Sequence, residues 1–101
     1  MRSRLDLQSI LETILGSRNV YFQPPATIKM RYPAIVFSLS NIETKHADDT
    51  RYLNHKRYEL TYIDSDPDNE NVEKILALQA CSFDRFYTSN NLNHYVFTIY
   101  F

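Results

Sequence analysis

The sequence of 101 residues is long enough for one hydrophobic core and too short for two, so we expect a single domain over residues 1–101. Hydrophobic residues make up 44% of the chain and charged residues 23%, a globular composition that excludes a disordered tail or a collagen-like rod. Eleven Lys and Arg against twelve Asp and Glu leave a net charge of −1, which excludes a global electrostatic attraction to DNA or to an anionic membrane.

The first predicted element is an amphipathic helix over residues 4–15. Ser3 and Asp6 resemble a capping box, and Gly16 follows the last apolar position as a C-terminal cap. A short β-prone segment, 19–22, comes next, and two consecutive prolines after it begin a surface loop. The helix is expected to dock on the sheet through its apolar stripe, which consists of Leu7, Ile10, Leu11, Ile14 and Leu15.

The middle of the chain contains strands of different character. Residues 34–39 are apolar on both faces, which is typical of an interior strand, and the helix is expected to pack there. Residues 42–46 are polar and predict an edge strand before a turn at 47–50. Residues 51–63 alternate in polarity, which predicts a long strand with one solvated face. Its two faces carry Tyr58, Leu60 and Tyr62 on one side and Arg57, Glu59 and Thr61 on the other.

The last third of the chain predicts a second helix and a hairpin. Asp66 is the predicted N-cap, followed by a proline at the first helical position, and the helix is expected to end near Ala80. Two alternating aromatic runs, 82–88 and 94–101, predict a terminal β-hairpin connected by residues 89–93. Together these elements predict an α+β fold, in which two helices pack on a mainly antiparallel sheet that ends in a C-terminal β-hairpin.

Rare residue types exclude several kinds of site. Cys81 is the one cysteine, so no internal disulfide and no thiolate metal cluster can form. Gly16 is the one glycine, which excludes the glycine-rich loops that bind nucleotides. The longest apolar run, 34–37, is far shorter than a membrane span, and the first residues lack the apolar stretch of a signal peptide. We therefore expect an intracellular protein with no membrane partner.

Acidic and histidine side chains raise the question of a metal site. Asp64, Asp66 and Asp68 have the opening spacing of a calcium loop, but the glycine and the final acid that such a loop requires are missing. Helix capping is the favoured explanation for these aspartates. The histidines show no paired spacing on a common face either, so no metal is expected at His46, His55 or His94.

Two further groups allow a functional and a structural interpretation. Cys81, Asp84 and His94 could supply a nucleophile, an acid and a base, but a small buried cysteine is the favoured explanation, so we expect no enzyme and no cofactor. The run 51–58 mixes cations with aromatic residues, as in proteins that bind single-stranded nucleic acid. Because alternation spreads those cations over both faces, a solvated strand is favoured there.

Tyrosine is abundant, with eight tyrosines beside six phenylalanines. Its large ring with a polar tip suits subunit interfaces, and an equally good interpretation is that the rings line the sheet beneath the helices. Both alternatives concern the tyrosines on predicted strands, which are Tyr52, Tyr58, Tyr62, Tyr87, Tyr95 and Tyr100.

Several segments form a pattern in chain order: residues 5–16, 19–25 and 32–37, Tyr58-x-Leu60-Thr61-x-Ile63-Asp64, Asp66-Pro67, Phe83-Asp84-Arg85-x-Tyr87 and Asn91-Leu92-Asn93-His94. This pattern resembles small proteins of tailed-phage and prophage morphogenesis clusters, and among them tail terminator (tail completion) or head-tail joining proteins. The resemblance covers nearly the whole chain, and its motifs are structural rather than catalytic.

The resemblance implies a structural virion protein rather than an enzyme. Members of this family form a hexameric ring that caps the tail tube and joins it to the head. The expected partners are further copies of the chain, the tail tube protein and head-tail connector proteins. DNA would pass through the ring without sequence-specific binding, and the protein would be found at the tail end of the virion and in the host cytoplasm during assembly. The strand pattern adds the expected subunit contacts, which are Tyr52, Arg57, Tyr58, Tyr62, Tyr87 and Tyr95.

Overall fold

The computed structural model describes residues 4–25, 27–46 and 52–101, with the backbone alone for 43–46 and 52–55. These residues form a five-stranded sheet and two helices, which confirms the predicted α+β class. No helix in the described ranges has the length and apolar character to cross a membrane. In chain order the elements are α1 (Arg4–Leu15), β1 (Val20–Phe22), β2 (Ala34–His46), β3 (Tyr52–Asp64), α2 (Asn71–Leu76), β4 (Cys81–Ser89) and β5 (Leu92–Tyr100).

The strands lie in the order β1-β2-β3-β5-β4. β1 pairs with β2 in parallel, and every other pair is antiparallel, so the sheet is mainly antiparallel as predicted. β2 has neighbours on both sides, as expected for its apolar sequence, and the half-solvated β3 is the middle strand. The β4–β5 hairpin closes the chain, which confirms the predicted C-terminal hairpin.

α1 covers residues 4–15, the range that the apolar spacing predicts. The helix ends where Gly16 adopts a positive φ of 76°, and the Gly16 N–H donates to the Glu12 carbonyl at 2.9 Å. A residue without a Cβ reaches this backbone conformation at little cost, which is why glycine is common at this position. Leu7 and Leu11 are fully buried against the sheet.

The core lies between the helices and one face of the sheet, called here the helix-side face. Cross-strand register places Leu60 of β3 between Phe37 of β2 and Phe97 of β5, and all three are fully buried. Edge-to-face aromatic contacts also connect β2 to β3 in this layer, where the ring centroids of Phe37 and Tyr58 are 6.0 Å apart. The buried cluster consists of Leu7, Leu11, Val20, Ile35, Phe37, Tyr58, Leu60, Tyr62, Ile75, Phe97 and Ile99.

The second helix is shorter than predicted and begins later. Asp66 is not its N-cap, because the Asp66 carboxylate accepts a hydrogen bond from the Asp68 N–H (2.9 Å) within a turn that precedes the helix. The Asn69 side chain accepts from the Val72 N–H (3.2 Å) and serves the first helical turn instead. Side chains that bond to nearby backbone stabilise turns at the expense of helix, so α2 begins at Asn71 and ends at Leu76.

Two strand boundaries also differ from the prediction. β2 does not stop after residue 39 but continues through the predicted edge segment 42–46, still paired with β3. The predicted turn at 47–50 lies outside the described residues. The terminal hairpin has a two-residue turn at Asn90 and Asn91, shorter than the predicted connection, and both residues have positive φ, at 53° and 62°. Such a turn matches the twist of its strands, so β4 and β5 pair up to it.

Candidate interaction surfaces

The first candidate surface is an arm that extends from the sheet. β1 pairs with β2 only as far as Phe37, and β5 pairs with β3 only as far as Arg57. Beyond these points no other strand pairs with β2 and β3, which pair with each other over residues 41–46 and 52–56, called here the arm. At its base the Phe101 N–H also donates to the Lys56 carbonyl at 2.9 Å. The five residue pairs of the arm, from Ile42 with Lys56 to His46 with Tyr52, extend about 17 Å, and the molecule measures 51 Å along its longest axis against 27 and 23 Å across it.

A β-bulge at Ser40 marks the base of the arm. The Ser40 hydroxyl donates to the Arg57 carbonyl at 3.0 Å and accepts from the Arg57 Nε–H at 3.1 Å. This paired contact holds the Arg57 side chain beside the bulge, on the sheet face opposite the helices. Bulges bend a strand and increase its twist, so Ser40 sets the direction in which the arm leaves the sheet.

The second candidate surface is β4, which is the edge strand at the other side of the sheet. Phe83 and Phe86 lie on the helix-side face, with Phe83 47% and Phe86 49% exposed. Each ring packs on one aromatic ring of β5, with centroids 5.7 Å apart for Phe83 and Phe97 and 5.0 Å for Phe86 and Tyr95. Within the described chain no strand pairs with the outer edge of β4, so this surface combines unpaired backbone with exposed rings.

The opposite face of β4 is polar and aromatic. Arg85 contacts Asp84 at 2.6 Å and Glu59 of β3 at 3.7 Å, and these side chains are about half exposed. Tyr87 stacks on His94, with ring centroids 4.6 Å apart and planes 14° from parallel. The His94 Nδ1–H donates to the Leu92 carbonyl at 3.1 Å, which fixes the ring beneath the tyrosine.

The predicted contact residues fall into different environments. Tyr58 and Tyr62 belong to the core, with 3% and 0% of their surface exposed, so they line the sheet beneath the helices and cannot contact a neighbouring subunit. Tyr95 is half-buried on the same face. Tyr87 is 42% exposed on the opposite face. Sequence alternation places these rings on faces correctly but does not say which face the helices cover.

Of the two predicted contact residues on or near the arm, the structure describes the side chain of one but not of the other. Arg57 is half-buried at the base of the arm. Tyr52 begins β3 at the far end of the arm, and its side chain lies outside the described part of the structure. Sequence analysis did not single out Phe83 and Phe86 as contacts, because they are three residues apart and strict alternation would put them on opposite faces of the strand. The register shift between Phe83 and Arg85 brings both rings to the helix-side face, and only the strand order shows that β4 lies at an edge.

A buried hydrogen-bond network links β3 to α2. The Tyr62 hydroxyl donates to the Asp64 carboxylate at 2.7 Å and accepts from the Asn71 Nδ2–H at 3.0 Å. Burial raises the pKa of Tyr62, the Asn71 hydrogen bond lowers it, and the Asp64 carboxylate raises it further. The hydroxyl therefore stays protonated at neutral pH, and the network joins two elements of the fold.

The structure does not bring the potential catalytic residues together. Cys81 aligns with Ile99 on the helix-side face, whereas His94 aligns with Tyr87 on the opposite face. Ile99 and His94 are five residues apart on β5, about 17 Å along the strand. Burial raises the pKa of the Cys81 thiol to about 11, which keeps it in the unreactive protonated form at neutral pH.

Two of the three aspartates of the predicted capping segment, Asp64 and Asp66, accept hydrogen bonds from the protein itself. Asp64 accepts from the Tyr62 hydroxyl and from the Asp66 N–H (3.1 Å), and Asp66 accepts from the Asp68 N–H. Over residues 4–25, 27–46 and 52–101, no three His, Cys, Asp or Glu side chains are grouped as a metal site would require.

Comparison with known proteins gives no relative from which a role could be transferred. No protein-family model matches the chain, and no curated protein matches it. A function for this protein therefore has to be argued from its sequence pattern and from the surfaces described above.

Proposed function

We propose that this protein is a phage tail terminator, a structural subunit that forms a ring on the end of the tail tube and joins the tube to the head. The observation that carries the proposal is the arm, which extends beyond the rest of the sheet and has no neighbouring strand on either side in the described chain. An isolated two-stranded hairpin is only marginally stable in water. Contact with another subunit would stabilise it.

The arm also satisfies a geometric requirement of rings. A closed ring of identical subunits uses a heterologous contact, in which two different patches of each subunit meet. This molecule offers two such patches, the arm at the end of β2 and β3 and the exposed edge strand β4. The sequence resemblance to tail terminator proteins supplies the identity of the assembly, since the geometry alone favours a ring without naming it.

The proposed role needs no catalytic group. The surfaces offer stacked rings, ion pairs and unpaired strand edges, which are the chemistry of protein contacts. The proposed partners are other copies of this chain, the tail tube protein and head-side connector proteins, at the neck of the virion. A net charge of −1 would let DNA pass through the ring without strong electrostatic binding.

Deleting the gene from the encoding phage or prophage tests the proposal. A terminator stops polymerisation of the tube, so electron microscopy of induced lysates should show overlong tails that are not attached to heads. Supplying the protein in trans should restore normal tail length. Tails of normal length beside empty or leaking heads would instead assign the protein to the head side as a connector and would contradict the terminator role.

A pair of variants tests the role of the arm in capping. Tyr52→Ala with Arg57→Ala changes the arm and should abolish capping while the far-UV circular dichroism spectrum stays that of the parent. A matched control changes one exposed tyrosine and one exposed cation elsewhere, Tyr32→Ala with Lys74→Ala, and should cap tails normally. Normal tail length with the arm variant would show that neither Tyr52 nor Arg57 is needed for the subunit contact.

A further inference from the structure

Four strand edges of this fold have no partner strand within the described chain: the outer edges of β1 and β4, and both edges of the arm. The outer edge of β4 is open over its nine residues. The outer edge of β2 in the arm is open because β1 ends at Phe22, level with Phe37, and these two edges lie on opposite sides of the sheet. Exposed edges present rows of N–H and C=O groups that favour pairing with another chain. A protein that leaves two such edges open has the means to extend its sheet into a second copy.

The strand directions fit such an extension. β2 is antiparallel to β3, β3 to β5 and β5 to β4, so β2 and β4 of one copy run in opposite directions. If a second copy continues the sheet with the same face toward the helices, its β4 lies antiparallel to β2 of the first copy. Antiparallel is the pairing that the rest of this sheet favours, and it needs no inversion of the subunit.

The positions of the exposed apolar residues indicate which register this strand pairing would adopt. Ile42 is 51% exposed and aligns with Lys56, two residues from Tyr58 on β3, so it belongs to the helix-side face. Phe86 is 49% exposed and belongs to the same face, because it aligns with Tyr95. An antiparallel register that sets Phe86 opposite Ile42 brings two exposed apolar side chains together.

The same register also matches charge on the other face. With Phe86 opposite Ile42, the preceding residue Arg85 is opposite Glu43, the residue that follows Ile42. Oppositely charged side chains directly across a strand pair stabilise it, and like charges there destabilise it. One register therefore satisfies an apolar pair and a charge pair, and these involve different parts of the surface of each subunit.

We propose that β4 of one copy pairs with the arm edge of β2 in the next copy. Phe86 then lies against Ile42, and Arg85 lies against Glu43. This contact rests on the proposed function, since it is the subunit contact of the ring, and it is a statement about self-association that purified protein can test. It joins residues 81–87 of one copy to residues 41–46 of the next, beyond the part of β2 that β1 covers.

The offset between copies is the one that a closed sheet needs. Within one copy Phe86 is level with Tyr62, whereas in the proposed contact it is level with Lys56, six residues further along β3. Six residues span about 20 Å along the strand, and the five strands of each copy span about 24 Å across it. The ratio of this offset along the strands to the width of the five strands corresponds to a strand tilt of about 40°, and strands of closed barrels are tilted by roughly 35–45°.

Engineered cysteines test the contact directly. Residues opposite one another in an antiparallel pair have Cα atoms about 4.5–5.5 Å apart, within the range of a disulfide. In a Cys81→Ala background, an oxidised mixture of Ile42→Cys and Phe86→Cys proteins should give a covalent heterodimer, while each protein alone gives none. Replacing Phe86→Cys with Tyr87→Cys moves the thiol to the other face and should abolish the cross-link.

Two results would overturn the proposal. One is the absence of the heterodimer both in concentrated purified protein and on isolated tails. The other is a homodimer of Phe86→Cys alone, which would mean that two β4 edges meet each other. A heterodimer in solution together with tails of normal length in the deletion strain would keep the contact and refute the terminator role, so the two failures are distinguishable.

A charge exchange provides a second measurement. Arg85→Glu and Glu43→Arg should each reduce formation of the heterodimer at least tenfold, because each sets like charges opposite one another. The two changes combined in one chain should raise it well above the level of either single variant, although position 85 also lies beside Asp84 and Glu59 of its own copy. Failure of the double variant to recover, with unchanged circular dichroism spectra for all three proteins, would refute the register.

Discussion

The substitution Leu11→Ala measures how much the packing of α1 contributes to the fold. Leu11 is fully buried between the helix and the sheet, in the cluster that includes Ile35 and Phe37. Truncating a buried leucine removes apolar burial and leaves a cavity, at a cost of about 2–5 kcal/mol. A domain of this size has a total stability of about 5–15 kcal/mol, so the loss is a large fraction of it.

Thermal melting followed by circular dichroism is a suitable assay. One kcal/mol shifts the midpoint by about 4–8 °C in a domain of this size, so Leu11→Ala should melt at least about 8 °C below the parent. Leu5→Ala is the matched control, because it makes the same change in the same helix at a position that is 62% exposed, and it should melt within about 2 °C of the parent. Equal midpoints for the two variants would refute the packing of α1 described here.

Three other predictions follow from individual residues. Tyr62→Phe should lower the free energy of unfolding by about 1–3 kcal/mol in urea titrations, because one buried and one partly buried hydrogen bond are lost, and a change below about 0.5 kcal/mol would contradict the network. Gly16→Ala should cost about 1 kcal/mol, since φ is 76° and no atom lies within 4 Å of the added Cβ; a loss well above 3 kcal/mol would indicate a clash instead. Burial raises the pKa of Cys81 to about 11, so the rate of its alkylation in the folded protein should rise about tenfold per pH unit from pH 8 to 10. In the urea-unfolded protein the rate of alkylation should reach a plateau near pH 9. The same plateau in both states would contradict burial of the thiol.

Local patterns were sufficient to predict much of this fold. The apolar spacing and Gly16 determine both ends of α1, because one stripe of residues and one terminator act within the same helix. Alternation along β3 identifies most of its buried side chains, since Tyr58, Leu60 and Tyr62 are buried and the residues between them, Glu59 and Thr61, are half-exposed; Ile63 is also buried, on the opposite face. The terminal hairpin follows from two alternating runs on either side of an asparagine-rich turn.

Other features depend on competition or on long-range pairing, which a local pattern does not contain. The start of α2 was placed at Asp66 because its carboxylate can cap a helix, but in the structure it bonds within the preceding turn. The polar end of β2 reads as a separate edge segment, although pairing with β3 continues it to His46. The exposure of Phe83 and Phe86 follows from the strand order and from the register shift between Phe83 and Arg85, so sequence analysis named Tyr87 on β4 but not these two phenylalanines.

The arm divides the molecule into regions of unequal local stability. Among the residues whose side chains the structure describes, the core of β2 and β3 ends at Phe37 and Tyr58, and Ile42 beyond it is 51% exposed, so we expect the backbone hydrogen bonds of the arm to be less protected than those of the core. Amide protons there should exchange with solvent through openings that cost much less than global unfolding, while those beside Leu60 should exchange only when the whole domain unfolds. Changes in the length of the arm would accordingly alter how far a subunit reaches and leave its folding equilibrium almost untouched. The distance that the arm extends and the stability of the domain therefore depend on different residues and can change independently.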